Sequence, residues 1–490
     1  MKTVIVFTQN LKLVSIVKYR GLEDVLFVTT HSLFENEKEY INKLFGKCEY
    51  RKFADFLSDE EMAECDEISY TNSDMPYEEY LKNIKKIKND IVISKVEKEY
   101  NPKNKLIFSD DLGIDIGEWL SAGYKKIKGD YYYYEKISLK KRLAKIEWLN
   151  KLYHTLKPYR YIHNPDEVHV GYYNSRKYVF LGKMNRIGYR LNIPFETSEE
   201  ECERINSGIF EEKDTCTYFT TWHEQGKCNV PDQDKYDVRW AQDGYLPPNY
   251  SHKDYFFKPK NVIYYCWDAL GTLLFKNQGL PYEMIPFRKK LYLPETTFPK
   301  KIENILVVAS GSGDWTALKN RSDDDIMVDL IVEMAKVFPN INFTYRCHPT
   351  WVHPLHVGVH SIERVHEYFE WLNLPNLKLS SNIPLMNENN NSYQYSFSRT
   401  SLDDDLKKTD FVIGEHSISM IDGAFKGIPF CSVNITGRRN FFVGLNDLGF
   451  PSCTSSNELR ELIEKATTPW FMDMFRRAVV NYNKMTDENA

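Results

Sequence analysis

The feature that most constrains the fold is an alternation of short apolar runs and helical patterns that begins at Lys301. The run 304–309 has the length and composition of a buried strand, and a glycine-containing loop follows it. Ser322 and Asp325 form a capping box, which predicts a helix that ends before Pro339. Further runs predict strands at 341–345, 410–413 and 429–433, with a helix from Ser417. Strands that alternate with helices form parallel, doubly wound sheets, so an α/β fold is predicted.

The first half of the chain carries the same kind of signal more weakly. Apolar runs predict strands at 4–7, 24–28 and 105–108, and a helix is predicted after Ser138. Its basic outer face favours packing against a sheet over binding to a membrane surface. Residues 171–294 are rich in Tyr, Trp, Lys and Asp and lack clean periodicity. We interpret them as the end of the first domain and a hinge, with a substrate cleft among the aromatic residues.

The length of the chain predicts two domains, because one hydrophobic core rarely grows beyond about 250–300 residues and this chain has 490. We place the first domain at 1–294 and the second at 295–468. The tail, 469–490, carries an apolar stripe at helical spacing. That stripe predicts a closing helix packed against the body of the protein, with an interfacial membrane anchor as the alternative.

Composition and charge exclude several classes of protein. An apolar fraction of 42% with 27% charged residues is typical of a folded globular chain. The net charge of −5 lacks the basic excess that nucleic-acid binding requires, so no nucleic acid is expected as a partner. The aromatic fraction of 14% suits a polar, ring-shaped ligand such as a sugar, although core packing accounts for most of these rings.

The sequence also predicts a cellular location. No run approaches the roughly 20 apolar residues that span a bilayer, and the N-terminus does not have the pattern of a signal peptide. The nine cysteines are odd in number and form no C-x-x-C pair, so reduced thiols and no structural zinc are expected. A cytoplasmic protein is predicted, with peripheral association at the inner face of the membrane left open.

Three predicted strand ends carry candidate binding residues, since ligands of parallel sheets bind beyond the carboxyl ends of the strands. After the first strand comes the loop Ser310, Gly311, Ser312 and Gly313. Because glycine has no side chain, the backbone N–H groups of this loop can approach a phosphate or a sugar closely. An ordinary turn is the alternative.

The second strand end carries His348, which is followed by Pro349. A histidine in this position can donate a hydrogen bond to a phosphate leaving group. A structural loop histidine is one alternative. Another is a metal site, which the spacing disfavours because it matches no usual ligand pattern; its further ligands would be His353, His356, His360 and His366.

The third strand end leads from Glu415 through His416 and Ser417 into a helix start that contains Ser419. Hydroxyls and N–H groups at a helix start bind anions, and the helix dipole strengthens the binding. Glu415 at the strand tip suits the hydroxyls of a ribose. The alternative is an ordinary N-cap serine.

The pair His348–Pro349, followed about seventy residues later by the helix start with Ser417, resembles a known donor site. It resembles that of GT-B glycosyltransferases that use CMP-activated acidic sugars: bacterial sialyltransferases, polysialyltransferases and Kdo transferases. The loop with Asp314 most resembles the retaining β-Kdo transferases. The resemblance covers about the last 190 residues by motif and the first 300 by general layout. It implies two Rossmann-like domains that face each other across a cleft.

The resemblance and the strand-end layout together imply catalytic roles. If the reaction retains configuration, Asp314 is the nucleophile, and Asp243 or Asp111 is the base for the acceptor hydroxyl. If the reaction inverts, Asp314 contacts the sugar instead. In the sialyltransferase-like relatives, the catalytic base belongs to a motif of an acidic residue, Asp and Gly. This chain matches the motif imperfectly at both candidates. A leucine separates Asp111 from the following glycine, and the residue before Asp243 is not acidic. Lys319 and Arg321 are candidates for the donor sugar's carboxylate, with solvated side chains as the alternative.

No metal or other cofactor is expected. A CMP-sugar releases a monophosphate ester of modest charge, which a helix N-terminus and a histidine donor can stabilise. The nearest approximations to a metal-binding DxD motif are Asp323–Asp325 and Asp403–Asp405. Each of them lies where a helix start favours negative charge.

The predicted function is therefore the transfer of an acidic sugar, Kdo or another ulosonate, from its CMP-activated form. The expected acceptor is an oligosaccharide or lipid-linked glycan of a surface polysaccharide, either lipopolysaccharide O-antigen or capsule. Two alternatives stay open. One is a GT-B-like transferase that uses a CDP-alcohol or a UDP-sugar, and the other is an inactive glycan-binding scaffold.

Overall fold

The computed structural model of this chain shows an α/β fold. Apart from isolated positions, the described residues are 4–8, 25–29, 33–61, 91–100, 106–108, 168–220, 235–241, 264–266, 282–284, 290–292, 299–309, 323–348, 362–381, 398–433 and 445–488. Within these ranges the chain forms three sheets in which parallel pairing predominates. The predicted α/β class with parallel sheets is confirmed.

The N-terminal sheet consists of β1 (Val4–Thr8), β2 (Val25–Thr29), β3 (Glu49–Lys52) and β4 (Leu106–Phe108). Its strand order is β3-β2-β1-β4, and every pair is parallel. The strands predicted at 4–7, 24–28 and 105–108 are confirmed. The apolar pattern does not reveal β3, because this edge strand consists of charged residues and a tyrosine, of which residues 49–51 remain exposed or partly exposed.

The middle sheet consists of β5 (Val168–Tyr173), β6 (Arg176–Leu181), β7 (Phe195–Thr197), β8 (Cys216–Thr220), β9 (Asp237–Ala241), β10 (Tyr264–Cys266) and β11 (Tyr282–Met284). Its order is β11-β10-β9-β8-β6-β5-β7, and β5 pairs antiparallel with both β6 and β7. Asn174 and Ser175 join β5 to β6 with φ of 47° and 64°, the mirror-image turn that fits the twist of a hairpin. All five residues of β8 are buried, which explains why no alternation is visible there.

The C-terminal sheet consists of β12 (Asn304–Val308), β13 (Asn342–Arg346), β14 (Leu377–Ser381), β15 (Ser398–Arg399), β16 (Phe411–Gly414), β17 (Phe430–Val433) and β18 (Ser452–Cys453). Its order is β15-β14-β13-β12-β16-β17-β18, and every pair is parallel. Without the edge strand β15, this is the 3-2-1-4-5-6 order of a Rossmann-type, doubly wound sheet. The strands predicted from 304 to 433 are confirmed, and the structure adds β14 and β15 between β13 and β16 in the sequence.

The helices are α1 (Glu35–Phe45), α2 (Asn185–Arg190), α3 (Glu199–Asn206), α4 (Asp323–Val337), α5 (Ile362–Leu372), α6 (Leu402–Leu406), α7 (Ser419–Phe425), α8 (Ser456–Lys465) and α9 (Pro469–Glu488). Helix α4 ends before Pro339, as predicted, whereas its predicted N-cap Ser322 and the predicted helix after Ser138 lie outside the described residues. Helix α9 buries its predicted apolar stripe, which includes Phe471 and Tyr482. In the part of the chain that the structure describes, no helix has the length and apolar character needed to cross a bilayer.

The chain divides into two compact units. The first comprises Met1–Tyr132, Pro294–Arg438 and Pro451–Asp473, and it contains the N-terminal and C-terminal sheets. The second comprises Tyr133–Leu293, Arg439–Phe450 and Met474–Ala490, and it contains the middle sheet. The domain boundaries drawn from the sequence at 294 and 468 stay predictions.

Within the first unit, α1 of the N-terminal sheet packs on α5 of the C-terminal sheet through aromatic rings. The rings of Phe34 and Tyr368 stack with centroids 4.4 Å apart, and Tyr368 also stacks on Trp371. The indole N–H of Trp371 donates to the Glu39 carboxylate at 2.9 Å. Stacked rings bury large apolar areas, so this contact holds the two sheets of the unit together.

Candidate functional site

Three neighbouring strands of the C-terminal sheet end level with one another. Val308 at the end of β12 lies opposite Arg346 of β13 on one side and Gly414 of β16 on the other. The strand order reverses between β12 and β16, because the chain crosses first to one side of β12 and later to the other. Ligands of doubly wound sheets bind at this reversal, beyond the carboxyl ends of the strands. We call these three strand ends and the residues that directly follow them the switch edge.

Gly414 allows close packing at the switch edge. A Cβ atom at this position would lie 2.8 Å from Cγ2 of Val308 and 3.0 Å from Cγ of Met420. These distances are shorter than van der Waals contact, so a larger residue would push β16 away from β12 or away from α7. The glycine therefore keeps the start of α7 close to the carboxyl end of β16.

Glu415 and Ser417 lie between β16 and α7. Glu415 is 2% exposed, which places a carboxylate in the interior at the strand tip. The Ser417 hydroxyl accepts the N–H of Ser419 at 3.4 Å, and its carbonyl accepts the N–H of Met420 at 3.1 Å. The first amides of α7 are thus engaged within the turn, while the hydroxyl hydrogen of Ser417 can still be donated to a ligand. The anion-binding roles of Ser417 and Ser419 and the ribose-binding role of Glu415 stay predictions.

His348 lies at the switch edge, where the sequence predicts it. It is partly exposed and follows Arg346, the last residue of β13, by two positions. The backbone on its N-terminal side is held on both flanks: Ala309 N–H donates to the Arg346 carbonyl at 3.0 Å, and Cys347 N–H donates to the Ser380 carbonyl at 3.1 Å. The structure therefore brings His348, Glu415 and Ser417 to one edge of one sheet. The role of His348 as a leaving-group donor stays a prediction.

A buried ion pair at this edge has no counterpart among the sequence predictions. Arg346 is 8% exposed, and its Nη1 donates to Oδ2 of Asp405 at 2.5 Å. The Ser380 hydroxyl donates to the same carboxylate oxygen at 2.7 Å. A charged residue at the end of an apolar run indicates that Arg346 needs a partner. The sequence does not indicate which of its 69 acidic residues that partner is.

The acidic residues of α6 face three different cations. Asp403 pairs with Lys426 at 2.8 Å, Asp404 pairs with Lys407 at 3.1 Å, and Asp405 pairs with the arginine at the end of β13. The amide of Asp404 is also capped by the side chain of Ser401. Among the described residues, no group of three or more His, Cys, Asp or Glu side chains is arranged to hold a metal ion.

Many of the predicted site residues lie outside the described residues. The candidate catalytic acids in this group are Asp111, Asp243 and Asp314. The candidate donor-binding residues are Ser310, Gly311, Ser312, Gly313, Lys319, Arg321, Pro349 and His416. Their roles stay predictions.

Two clusters of charged residues in the middle sheet lie at the amino ends of its strands. Lys177, near the amino end of β6, donates to Glu201 and, at 2.9 Å, to Glu211. Arg204 donates to the same carboxylate of Glu201. Burial alone would lower the pKa of Lys177, but the hydrogen bonds to Glu201 and Glu211 outweigh it, so the pKa is raised. Cations and carboxylates satisfy one another here, which indicates a structural network.

A second network surrounds Asp237, the first residue of β9. Its Oδ2 accepts from Arg176 Nη2 at 2.6 Å and from the Thr217 hydroxyl at 2.7 Å. Its Oδ1 lies 2.8 Å from Nη2 of Arg239, whose guanidinium stacks over the ring of Tyr265 at 4.9 Å. This network ties the amino ends of β6, β8 and β9 together, away from the strand ends at which ligands of parallel strands bind.

Comparisons with known proteins give distant similarities only. No protein-family model matches the chain. A search of curated proteins also gives no match. Among solved structures, the chain is similar to a glycosylation-associated protein (Gap123) complex from Streptococcus agalactiae, with 12% identity, a TM-score of 0.30 and coverage of 64% of this chain and 60% of that one. The aligned part is thus less than two thirds of the streptococcal chain.

Two further solved structures are similar to this chain. MurG from Acinetobacter baumannii is 11% identical, with a TM-score of 0.29 and coverage of 55% of this chain and 86% of that one. The UDP-GlcNAc 2-epimerase of Neisseria meningitidis, bound to UDP-GlcNAc, is 11% identical, with a TM-score of 0.23 and coverage of 100% of this chain and 99% of that one. All three TM-scores are below 0.5, so these similarities do not establish the fold of this chain. Its fold class follows from its own strand order.

Proposed function

We propose that this chain is a GT-B glycosyltransferase that moves Kdo or another ulosonate from its CMP-activated donor to a glycan acceptor. The acceptor is an oligosaccharide or lipid-linked glycan of a surface polysaccharide, of the O-antigen or capsule type. We place the reaction in the cytoplasm, and association of the enzyme with the inner face of the membrane stays open.

The observation that carries this proposal is the switch edge. The C-terminal sheet has the strand order of a nucleotide-binding fold, and its order reverses between β12 and β16. Around that reversal lie a partly exposed histidine, His348, and a buried carboxylate, Glu415. Ser417 adds a hydroxyl two residues before the start of α7. This set of donors and acceptors suits a nucleoside monophosphate: a proton or hydrogen-bond donor for the phosphate and an acceptor for ribose hydroxyls.

The proposed reaction proceeds with retention in two displacements. In the first, the Asp314 carboxylate forms a bond to the anomeric carbon while the bond from that carbon to the phosphate oxygen breaks. The electron pair leaves with CMP, and His348 donates a hydrogen bond to the departing phosphate oxygen. In the second, the acceptor hydroxyl displaces Asp314, and its proton passes to Asp243 or Asp111.

Both candidate bases follow the carboxyl ends of parallel strands. Asp111 comes after β4, which ends at Phe108, and Asp243 comes after β9, which ends at Ala241. This is the position at which α/β sheets present reactive groups. Lys319 and Arg321, in the segment before α4, are proposed to bind the carboxylate of the donor sugar.

Calorimetric titration with nucleotides tests the proposed donor. We expect CMP to bind at least tenfold more tightly than UDP or GDP, and CDP to bind no more tightly than CMP. Incubation with CMP-Kdo and a glycan acceptor should release CMP and add the mass of one Kdo unit to the acceptor. Equal affinity for the nucleotides would contradict the CMP donor, and oligosaccharide binding without nucleotide binding would favour the scaffold.

Replacing His348 by alanine tests the assignment of the leaving-group donor. Loss of such a donor costs on the order of 10²-fold in turnover. His366→Ala is the matched control, because His366 lies on α5 with its side chain near Glu370. We expect the control to keep CMP release within about twofold of wild type, and equal turnover of the two variants would contradict the role of His348.

A further inference from the structure

The ion pair between Arg346 and Asp405 connects a remote helix to the strand that carries His348. Asp405 lies on α6, which follows the edge strand β15, whereas Arg346 is the last residue of β13. Ser380 of β14, the strand next to β13, donates to the same carboxylate oxygen at 2.7 Å. One carboxylate thus holds the carboxyl ends of two adjacent strands.

Because the ion pair between Arg346 and Asp405 is largely removed from water, it tolerates little change in its geometry. The side chains of Arg346 and Asp405 are each 9% exposed. Removing two charges from water costs about as much as their attraction returns, so such a pair contributes little net stability. Its directional hydrogen bonds define one arrangement of the groups that it joins, because any other arrangement leaves a charge buried without its partner.

The pair adds the third constraint on the chain just before His348. The Arg346 carbonyl accepts from Ala309 on one side, and the Cys347 amide donates to Ser380 on the other. The side chain of Arg346 is held from α6. Because the backbone at Arg346 and Cys347 and the side chain of Arg346 are all held, the direction in which the chain leaves β13 toward His348 is fixed. In catalysis, a displacement of about 1 Å can cost 10²-fold in rate.

We propose that Asp405, acting through Arg346, is a positioning residue that aims His348 at the phosphate of the bound donor. This inference rests on the proposed function for the role of His348, but the positioning itself is a property of the chain. The Asp405 carboxylate is 9% exposed and engaged by Arg346 and Ser380, so we assign it no direct contact with donor or acceptor. Its effect is therefore expected on the rate of the chemical step and not on donor affinity.

The test compares Asp405→Asn with Asp404→Asn. Both changes remove one carboxylate from α6, but Asp404 is exposed and pairs only with Lys407 and the local cap. With CMP-Kdo as donor, we expect Asp405→Asn to lower kcat 10- to 100-fold, with KM for the donor within threefold of wild type. Asp404→Asn should keep both within twofold. Measurements are made at a temperature at which circular dichroism shows each variant fully folded, and equal kcat values for the two variants would overturn the proposal.

A second variant covers the case in which Asp405→Asn does not fold. Replacing both charges, in Arg346→Met with Asp405→Leu, removes the pair without leaving a charge buried and preserves folding. A folded double variant with kcat at least tenfold below wild type supports the positioning role. A folded double variant with wild-type kcat overturns it, because the pair would then serve folding alone.

The ring of His348 gives a readout that does not depend on the donor. In protein labelled with ¹⁵N-histidine, the signal of His348 is identified by its loss in His348→Gln. We expect this signal to shift or split in Asp405→Asn and to stay unchanged in Asp404→Asn. An unchanged signal in both variants overturns the positioning role. If wild-type protein does not consume CMP-Kdo while the signal responds as expected, the proposed function fails and the positioning role stands.

Discussion

The C-terminal and middle sheets place their buried charges at opposite ends of their strands. In the C-terminal sheet, Arg346 and Glu415 lie at the carboxyl ends of β13 and β16. In the middle sheet, the buried Asp237 is the first residue of β9, and the partly buried Lys177 is the second residue of β6. Ligands of parallel strands bind beyond the carboxyl ends. The comparison teaches that a buried charge alone does not mark a binding site, and that its position along the strand has to be considered as well.

The networks of the middle sheet also differ in composition from the switch edge. The Glu201 carboxylate forms ion pairs with Lys177 and Arg204. The Asp237 carboxylate forms ion pairs with Arg176 and Arg239. Each carboxylate is shared by two cations from different elements, so these networks bind parts of the fold to one another. At the switch edge, Ser417 offers a hydroxyl whose hydrogen can still be donated. Three predictions test this contrast.

The largest effect is expected from Glu201→Gln. Glu201 is 4% exposed, and its loss leaves the partly buried Lys177 and Arg204 without their main partner. Breaking a fully buried ion pair from one side costs about 3–5 kcal/mol. Because these two cations keep some contact with water, we expect a loss of about 3 kcal/mol, measured as the free energy of unfolding in urea. Glu203→Gln, on the exposed side of the same helix, should change it by less than about 0.5 kcal/mol. If folded Glu201→Gln bound CMP tenfold more weakly than wild type, the purely structural role of this charged network would be contradicted.

A smaller effect is expected from Gly414→Ala at the switch edge. The added methyl would lie 2.8 Å from Val308 and 3.0 Å from Met420, and overpacking of this kind costs about 1–3 kcal/mol. The shift of α7 should also weaken CMP binding. Gly423→Ala, within α7, is the control: its methyl would meet Val412 at 3.1 Å, and it gains helix propensity, so its net effect should stay within about 1 kcal/mol. Equal CMP affinity in Gly414→Ala and wild type would argue against a donor site next to α7.

The smallest effect concerns the alkaline pH dependence of stability. Burial raises the pKa of Tyr264 on β10 to about 12, from an ordinary value near 10. Between pH 10 and 12 the unfolded chain releases this proton while the folded protein retains it, so the free energy of unfolding falls as pH rises through that window. Tyr264→Phe should reduce this slope, and Tyr172→Phe, whose ring is 62% exposed, should leave it unchanged. Identical slopes in wild type and Tyr264→Phe would show that the phenol is hydrated.

Most of the C-terminal sheet is predictable from its sequence. The strands at 304, 411 and 430 consist mostly of consecutive buried residues, as expected of parallel strands that are buried on both faces. The strand at 342 instead alternates buried aromatic residues with more polar ones. Less of the middle sheet is predictable. Its hairpin turn uses Asn174 and Ser175 without a glycine, and the fully buried β8 shows no alternation.

The residues of the candidate site also divide into those that the sequence predicts and those that it does not. His348, Glu415 and Ser417 are visible in the sequence because each directly follows an apolar run. The partnership of Arg346 with Asp405 is not visible, because the two residues are 59 positions apart and belong to different elements, β13 and α6.

By itself, the sequence determined the α/β class, most strands of the C-terminal sheet and the residues that follow their ends, because these depend on local runs of apolar residues and on turn chemistry. The tertiary structure decided the strand order, the level ends of β13, β12 and β16, and the carboxylate that Arg346 meets. These depend on the packing of distant segments against one another, which local patterns do not encode.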